Sequence, residues 1–328
     1  MRVAVIGAGS MGGMHAQLLG GIEGVEEVLV VDADAARAAA VAQAAGGRSL
    51  SHDEAIAEAD AVVVATPPEL HAATVEAAVA RGASVLCEKP LTESLATTRA
   101  LTDAVEAAGA HVEVGFQRRH DPGFLAARDA IGGRLHLVRL TAFDPLVPPS
   151  DPASRAMHEA APMFRDSSVH DFDFVRWVSG QEVVDVSVAA SRRDAPSVED
   201  PRGIESAVVT MRLEGGTLAV LEASWLHPSG YDIRVELLSE AAAVTAGLSP
   251  RTPARHLDWP LDPEPGWSGY LERFEPAYRA ELVAFVAAAR GELSPASSAR
   301  DGLEAMRVAV AATRSFTEGR TVRLAEVA

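Results

Sequence analysis

A short apolar run that stops at a glycine-rich turn constrains the fold of this chain more than any other feature. The run covers residues 3–6, and Gly7, Gly9 and Gly12 follow it in the pattern G-x-G-x-x-G. Gly7 permits a tight turn, Gly9 lets the backbone approach a pyrophosphate, and Gly12 lets the next helix pack close to the strand. The spacing therefore predicts a strand–turn–helix unit that binds a dinucleotide.

The residues around this turn favour NAD as the dinucleotide. Ser10 and Met11 open the helix whose N-terminus would face the phosphates. A second apolar run ends at Asp32, about 20 residues beyond Gly12, where a carboxylate would accept hydrogen bonds from the adenosine ribose. The same carboxylate would repel a 2′-phosphate, so NADP is disfavoured, and Arg37 one helical turn further on would soften that preference.

Size and charge limit the classes of function. The 328 residues are too many for one ordinary core, so we expect two domains. A net charge of -17 argues against nucleic acid and anionic membranes as partners. No apolar run reaches the roughly 18 residues of a membrane span, and the run before Gly7 is too short for a signal peptide. Cys87 is the only cysteine, which fits a reducing cytoplasm, and no metal site is expected.

The first 115 residues alternate between apolar strands and alanine-rich helices. This alternation predicts a parallel, doubly wound sheet that binds ligands at the carboxyl ends of its strands. The predicted strands are 2–6, 27–31, 61–65, 83–87 and 111–114, and the predicted helices are 11–19, 33–44, 53–57, 69–80 and 93–107.

After Phe116 the apolar residues alternate with period two, which predicts a mostly antiparallel sheet with helices scattered between its strands. We therefore predict an α/β chain with a Rossmann NAD-binding domain over 1–120 and an α+β domain over 121–328. The proline-rich segments 145–162 and 248–267 are predicted surface loops. The predicted strands are 135–143, 183–190, 204–213, 217–225 and 233–238, and the predicted helices are 169–179, 273–289 and 300–317.

Two loops that follow predicted strands carry polar residues at the ligand-binding edge. Thr66-Pro67 follows the third strand and Glu88-Lys89 follows the fourth, so both loops would border the nicotinamide end of a bound cofactor. The Lys89 amine could donate to a substrate hydroxyl and stabilise alkoxide character as hydride leaves the carbon. The alternative for Lys89 is a solvated surface charge. His71 would close the start of its helix or lie near the nicotinamide.

Asp166 and His170 form the third polar cluster. They are spaced i, i+4, so they share a face if the predicted helix reaches back that far. A carboxylate beside an imidazole fixes its tautomer and raises its basicity, which suits a general base. The alternative is that Asp166 caps the helix and His170 is structural.

The ordered set of motifs resembles the Gfo/Idh/MocA oxidoreductases, the family of glucose–fructose oxidoreductase and inositol 2-dehydrogenase. The order and spacing of the motifs span nearly the whole chain, and the stretch 231–236 is similar to the inositol dehydrogenase branch. The matching pieces are the glycine turn at 7–12, Thr66-Pro67 with His71, Glu88-Lys89-Pro90, the segments 115–122, 166–173 and 230–236, and Arg273-Phe274 with Tyr278 and Phe285.

The resemblance implies an NAD-dependent dehydrogenase that oxidises a secondary hydroxyl of a cyclic polyol or sugar. It also implies that the C-terminal domain is built on a large, open, mainly antiparallel sheet. It implies a catalytic set that falls on Lys89, Asp166 and His170. The implied cofactor-binding residues are Gly7, Gly9, Ser10, Met11, Gly12, Asp32, Thr66, Pro67, His71, Glu88 and Lys89. The implied substrate-binding residues are Gln117, Arg118, Asp144 and Tyr231.

The chain departs from the inositol dehydrogenases in two places. Ala142-Phe143-Asp144-Pro145 stands where they commonly carry a histidine and an asparagine before a proline, and His120 replaces a tyrosine or phenylalanine. A substrate other than myo-inositol therefore stays open. Two other functions also stay open: a regulatory protein that binds NAD and a sugar without turnover, and a redox-assisted glycosidase with tightly bound NAD. An open sheet with one apolar face needs a cover, which predicts a homodimer or homotetramer.

Overall fold

The computed structural model describes residues 1–145, 162–192, 203–249, 251 and 265–327. The chain divides into two compact units: the first comprises Met1–Gln117 with Ala277–Met306, and the second comprises Arg118–Pro276 with Arg307–Ala328. Most of the two predicted loops, 145–162 and 248–267, lies outside the described residues.

The division between the units differs from the sequence-based division at residue 120, which assigned 277–306 to the second domain. The later segment belongs to the first unit because it bonds to that unit's last strand and helix. Ser297 Oγ accepts from the Val114 N–H at 3.0 Å and donates to the Val114 carbonyl at 2.8 Å. Thr102 Oγ1 donates to the Ala299 carbonyl. Such contacts join residues far apart in sequence, so no local sequence pattern predicts them.

The first unit contains the predicted doubly wound sheet. Its six strands are all parallel and lie in the order β3-β2-β1-β4-β5-β6. The chain adds strands to one side of β1 as far as β3 and to the other side from β4 onward, so the topological switch point lies between β1 and β4. The central strands are fully buried on both faces, which explains their unbroken valine-rich sequence. The strands are β1 Arg2–Ile6, β2 Glu27–Val31, β3 Arg48–Ser49, β4 Ala61–Val64, β5 Ser84–Cys87 and β6 Val112–Val114.

Some helices of the first unit begin at residues whose side chains cap them. Asp34 accepts from the N–H groups of Ala36 and Arg37, and Ser51 forms a capping box with Glu54. These caps fix where each crossover helix leaves the sheet. The helices before β6 are α1 Ser10–Leu19, α2 Ala35–Ala45, α3 His52–Glu58, α4 His71–Ala80 and α5 Leu95–Ala108.

The second unit is built on a seven-stranded sheet in the order β12-β11-β7-β10-β9-β8-β13. The pair β7–β10 is parallel and the other pairs are antiparallel, so the predicted mainly antiparallel sheet is confirmed. Leu140, Val209, Leu221 and Val235 stand in register across four strands and are buried, which makes this face the core. The strands are β7 Leu135–Pro145, β8 Val183–Arg192, β9 Ile204–Leu213, β10 Leu218–His227, β11 Asp232–Ser239, β12 Ala243–Ala246 and β13 Val322–Arg323.

Two helices of the second unit were not predicted. One begins at Pro122, where Asp121 accepts from the N–H groups of Gly123 and Phe124; the other is the single turn that ends at Asp166. None of the helices in the described part of the chain is long and apolar enough to cross a membrane. The remaining helices of the protein are α6 Pro122–Ala130, α7 Met163–Asp166, α8 Val169–Ser179, α9 Tyr270–Ala289 and α10 Ala299–Glu318, and the last two contribute residues to both units.

Candidate active site

The glycine turn of the first unit has the geometry of a phosphate cradle. Gly7 has a φ of 99°, and a Cβ there would lie 2.5 Å from the Ala65 carbonyl oxygen. A Cβ on Gly12 would lie 1.7 Å from the Gly7 carbonyl oxygen, so only glycine allows α1 to start this close to the strand. Gly9, the N-cap of α1, has open space on its Cβ side and supplies no side-chain cap. The turn therefore leaves room and backbone donors for a pyrophosphate.

Asp32 lies directly after β2, beside this turn. Its Oδ2 accepts from the Ala8 N–H at 2.7 Å and its Oδ1 accepts from the Asp34 N–H at 2.8 Å, while Arg37 Nε lies 3.4 Å away. Burial acts to raise the pKa of Asp32, but the two backbone donors and Arg37 outweigh it and lower the pKa below its usual value. The carboxylate is therefore ionised and oriented, as recognition of a ribose requires. The glycine turn and Asp32 together fit a dinucleotide.

His71 joins the two loops that follow β4 and β5. Its Nε2 lies 2.8 Å from the Thr66 carbonyl oxygen, and its Nδ1 lies 3.1 Å from the Pro90 carbonyl oxygen and 3.3 Å from that of Leu91. The ring is buried at the first residue of α4. The Thr66 hydroxyl oxygen is buried and has no hydrogen-bond partner among the described residues. His71 thus holds two loops together, whereas the start of its helix carries no side-chain cap.

Glu88 and Lys89 follow β5 in a partly enclosed position. Glu88 is buried, and its Oε1 lies 2.7 Å from His15 Nε2 on α1. Its Oε2 accepts from the Lys89 N–H at 3.2 Å. Lys89 is half-buried, so it is not a fully solvated surface charge. The contact from His15 was not predicted, because a single histidine on an apolar helix carries no signal of its partner.

Asp166 and His170 lie on either side of a break between two helices of the second unit. α7 ends at Asp166 and α8 begins at Val169, so the predicted helix does not reach back through Asp166. The N-cap of α8 is Ser168, whose side chain makes no capping hydrogen bond. Both side chains are half-buried, and the Trp225 indole N–H donates to the neighbouring Ser167 hydroxyl at 3.1 Å.

Two successive arginines of the second unit hold the helix that carries His170. Arg118 forms a buried ion pair with Asp171. Arg119 binds Asp173 with two donors, of which Nε lies 2.9 Å from Oδ2. The two carboxylates stand on α8 directly after His170, so the ion pairs fix the position of this helix turn.

Arg118 also belongs to a polar cluster with two other predicted substrate residues, Asp144 and Tyr231. Burial raises the pKa of the Tyr231 hydroxyl, Asp144 raises it further, and a hydrogen bond from Arg118 opposes them. The cluster therefore offers a neutral phenol, a carboxylate and a paired guanidinium. Gln117, the fourth predicted substrate residue, belongs to the first unit, where its Nε2 donates to the Tyr278 hydroxyl at 3.0 Å.

Comparison with protein families decides what kind of protein carries these two units. The family model described as "Oxidoreductase family, NAD-binding Rossmann fold" matches residues 1–116, and its companion, described as "Oxidoreductase family, C-terminal alpha/beta domain", matches residues 129–324. The chain belongs to the Gfo/Idh/MocA oxidoreductase family. The resemblance, the fold class and the NAD-binding Rossmann domain predicted from the sequence are confirmed.

Similar proteins within the family match along their full length. The myo-inositol dehydrogenase Hyg17 of Streptomyces leeuwenhoekii is 38% identical over 97% of this chain and 98% of its own. The scyllo-inositol 2-dehydrogenase (NAD(+)) of Bacillus subtilis is 30% identical over 99% of this chain and 96% of its own. The crystal structure of a putative myo-inositol dehydrogenase from Sinorhizobium meliloti superposes with a TM-score of 0.87 at 32% identity and covers 99% of both chains.

Proposed function

We propose that this Gfo/Idh/MocA oxidoreductase is an NAD-dependent dehydrogenase that oxidises a ring hydroxyl of a cyclic polyol of the inositol class. The observation that carries the proposal is the identity of residue 89. Lys89 is the only lysine of the chain, and the other 28 of its 29 basic side chains are arginines. It stands in the loop after β5, where the sequence predicts a donor to the reacting oxygen.

A lysine at this position supplies what an arginine does not. Its ammonium is a compact point charge that donates to a single oxygen, whereas a guanidinium presents a planar fork suited to carboxylates and phosphates. In a chain that otherwise uses arginine, retention of one lysine favours a chemical role over a solvated surface charge. The presence of Lys89, together with Asp166 and His170, also disfavours a regulatory protein without turnover.

Each residue of the proposed site has a stated task. The glycine turn and Asp32 would hold NAD, which would supply the hydride acceptor. A ring nitrogen of His170 accepts the proton of the substrate hydroxyl, and Asp166 stabilises the imidazolium that forms. The Lys89 ammonium donates to the same hydroxyl oxygen and stabilises its developing negative charge while the C–H bond breaks and the C=O bond forms. The products are a ketone, NADH and a proton.

The polar cluster of the second unit favours an uncharged polyol as the substrate. Arg118 is already paired with Asp171, so its charge is compensated and does not call for an anionic sugar acid. Asp144 and Tyr231 can accept from and donate to the hydroxyls of a ring, and we assign Gln117 to the same task. NADP is a poorer cofactor in this proposal because of the ionised Asp32.

We further propose that the protein is a cytoplasmic homodimer or homotetramer. The face of the second sheet opposite the core carries Val208, Leu218 and Leu238, which are 45%, 52% and 45% exposed. The pairing of β9, β10, β7 and β11 places these three residues on one side of the sheet. A cover from a second subunit would bury them. The fully buried Cys87, the only thiol, is compatible with a reducing compartment.

Turnover assays with matched variants of Lys89 test the proposed function. Purified protein with NAD should produce NADH from at least one inositol stereoisomer in a panel that also contains hexoses and sugar acids. Lys89→Ala should lower kcat by about 100- to 1,000-fold, the usual effect of removing a donor to the reacting oxygen. Lys89→Arg, which keeps the charge, should also be strongly impaired.

Three outcomes would contradict this proposal. A Lys89→Arg variant with wild-type turnover would mean that residue 89 supplies only a charge. A wild-type protein that binds NAD but reduces none of it with any polyol would favour the regulatory alternative. Glycoside cleavage with bound NAD and no net reduction would favour the redox-assisted glycosidase.

A further inference from the structure

A buried histidine of α1 contacts the segment that carries Lys89. His15 has no exposed surface, and its Nε2 lies 2.7 Å from Glu88 Oε1. The helix that carries His15 starts at the glycine turn, so a single rigid helix extends from the phosphate cradle to this contact. The His15 ring also packs edge-on against Tyr278, with ring centroids 6.0 Å apart, which limits its freedom to rotate.

The Glu88 carboxylate links His15 to the backbone of Lys89. Its second oxygen, Oε2, accepts from the Lys89 N–H at 3.2 Å. Gly115, directly after β6, leaves space for this carboxylate, because a Cβ there would lie 3.1 Å from Oε2. Burial acts to raise the pKa of Glu88, but the hydrogen bond from His15 and the charge of Lys89 outweigh it and lower the pKa. Glu88 therefore remains an ionised acceptor for both neighbours.

A second buried histidine holds the other end of the same segment. His71 Nδ1 lies 3.1 Å from the Pro90 carbonyl oxygen and 3.3 Å from the Leu91 carbonyl oxygen. Lys89 thus stands between two anchored points, Glu88 on one side and Pro90 on the other. All of these residues belong to the first unit.

We propose that His15 is a positioning residue that, through Glu88, sets the place of the Lys89 amine relative to the dinucleotide turn. The inference rests on the proposed function for its kinetic consequence, while the contact itself is independent of that function. A displacement of a reacting group by about 1 Å can cost on the order of 100-fold in rate, so a loosened loop should be visible in kcat. Cofactor binding by the glycine turn should be largely unaffected, because the His15 ring contacts Glu88 and does not face the phosphates.

The test compares His15→Leu, which cannot donate to Glu88, with His15→Gln, whose amide N–H can. For His15→Leu we expect kcat to fall by about 10- to 100-fold while the KM for NAD changes by less than about threefold. His15→Gln should recover most of kcat, which a purely packing role of the ring would not produce. His15→Asn, with a donor too short to reach Glu88, replaces the leucine variant should that variant not fold. His111→Leu is the control, since this histidine of the first unit contacts Ser84 and Glu113 instead.

The single cysteine gives a readout that does not depend on activity. Cys87 Sγ is fully buried and lies 3.5 Å from the Glu88 carbonyl oxygen, and burial raises the pKa of its thiol. Reaction with a thiol reagent such as dithiobis(nitrobenzoate) therefore requires local opening at the end of β5. The reaction should be several times faster in His15→Leu than in wild type, and His15→Gln and His111→Leu should react at close to the wild-type rate.

The two readouts separate failure of this inference from failure of the proposed function. A wild-type enzyme without dehydrogenase activity would contradict the proposed function, and the Cys87 rates would then decide the role of His15 alone. Equal Cys87 rates in wild type and His15→Leu would overturn the inference. So would a His15→Leu enzyme with wild-type kcat, or an impaired enzyme that His15→Gln fails to rescue.

Discussion

At the scale of single residues, this chain uses arginine and lysine side chains at different kinds of position. Two buried ion pairs of the second unit use arginine: Arg118 with Asp171, and Arg119 with Asp173 through two donors. Its single lysine stands in the loop after β5, where a single oxygen would be the acceptor. The two-donor fork of arginine suits these carboxylate partners, whereas the role proposed for Lys89 requires a donor to one oxygen.

Asp32 carries the residue-scale prediction about the cofactor. Asp32→Ala should weaken NAD binding by about tenfold or more, since hydrogen bonds to a charged group contribute about 1.5–3 kcal/mol. NADP binding should be unchanged or tighter, because the repulsion between the carboxylate and a 2′-phosphate is lost. Calorimetric titration of both cofactors measures the change in the ratio of their dissociation constants.

Asp34→Ala is the matched control for this prediction. Asp34 caps α2 by accepting from the N–H groups of Ala36 and Arg37, so its loss should cost about 0.5–2 kcal/mol of stability and leave the cofactor ratio unaltered. An Asp32→Ala protein that binds NAD as tightly as wild type would remove Asp32 from the cofactor site.

At the scale of helices and strands, the sequence predicted elements whose pattern is local. The apolar runs of β1, β2 and β4 and the alternating strands of the second sheet appear with shifts of a few residues at most. The short strands β3, β12 and β13 were missed because pairings of two to four residues leave no clear periodicity. α6 was also missed, although Asp121-Pro122 is an ordinary N-cap followed by proline at the first helical position. The break between α7 and α8 has no comparable signal.

α9 contains a buried acid that yields a prediction about pH. Glu281 is 3% exposed, and its Oε2 has no hydrogen-bond partner within the described part of the chain. Burial raises the pKa of Glu281 well above its usual value, and the charges of Glu88 and Glu113 raise it further. In the unfolded chain the same carboxyl ionises near pH 4.3 to about 4.5. The folded protein therefore holds a proton that the unfolded chain has already lost.

The sign of the effect follows from this difference in bound protons. As pH rises above the unfolded pKa, the unfolded chain loses the proton that the folded state still holds, so Glu281 progressively lowers the free energy of unfolding until its raised folded pKa is reached. Glu281→Gln should remove that decline and stabilise the protein more at the upper end of this range than at the lower. Denaturant titrations at several pH values measure the difference. The exposed Glu275→Gln on the same helix should leave the pH profile unaltered, and parallel profiles for wild type and Glu281→Gln would contradict a raised pKa.

At the scale of the whole molecule, each of the two units consists of two segments that are separated in the sequence. Residues 277–306 belong with the first 117 residues because Ser297, Ala299 and Phe285 contact residues of that segment. The candidate site shows the same limit of local patterns. The sequence indicated Lys89, Asp32 and Tyr231 through motifs, whereas the contact of His15 with Glu88 depends on how α1 packs on the sheet.

The open face of the second sheet carries the prediction about assembly. Val208 and Leu238 lie on the same side of this sheet and are each 45% exposed, which leaves apolar surface that a partner subunit would cover. The double variant Val208→Glu/Leu238→Glu should shift the protein to a smaller species in sedimentation velocity at micromolar concentration, because like charges would meet across the interface. Leu293→Glu, at a leucine that is 56% exposed in the first unit, should sediment like wild type. A monomeric wild type, or a double variant with an unchanged sedimentation coefficient, would mean that this face does not join subunits.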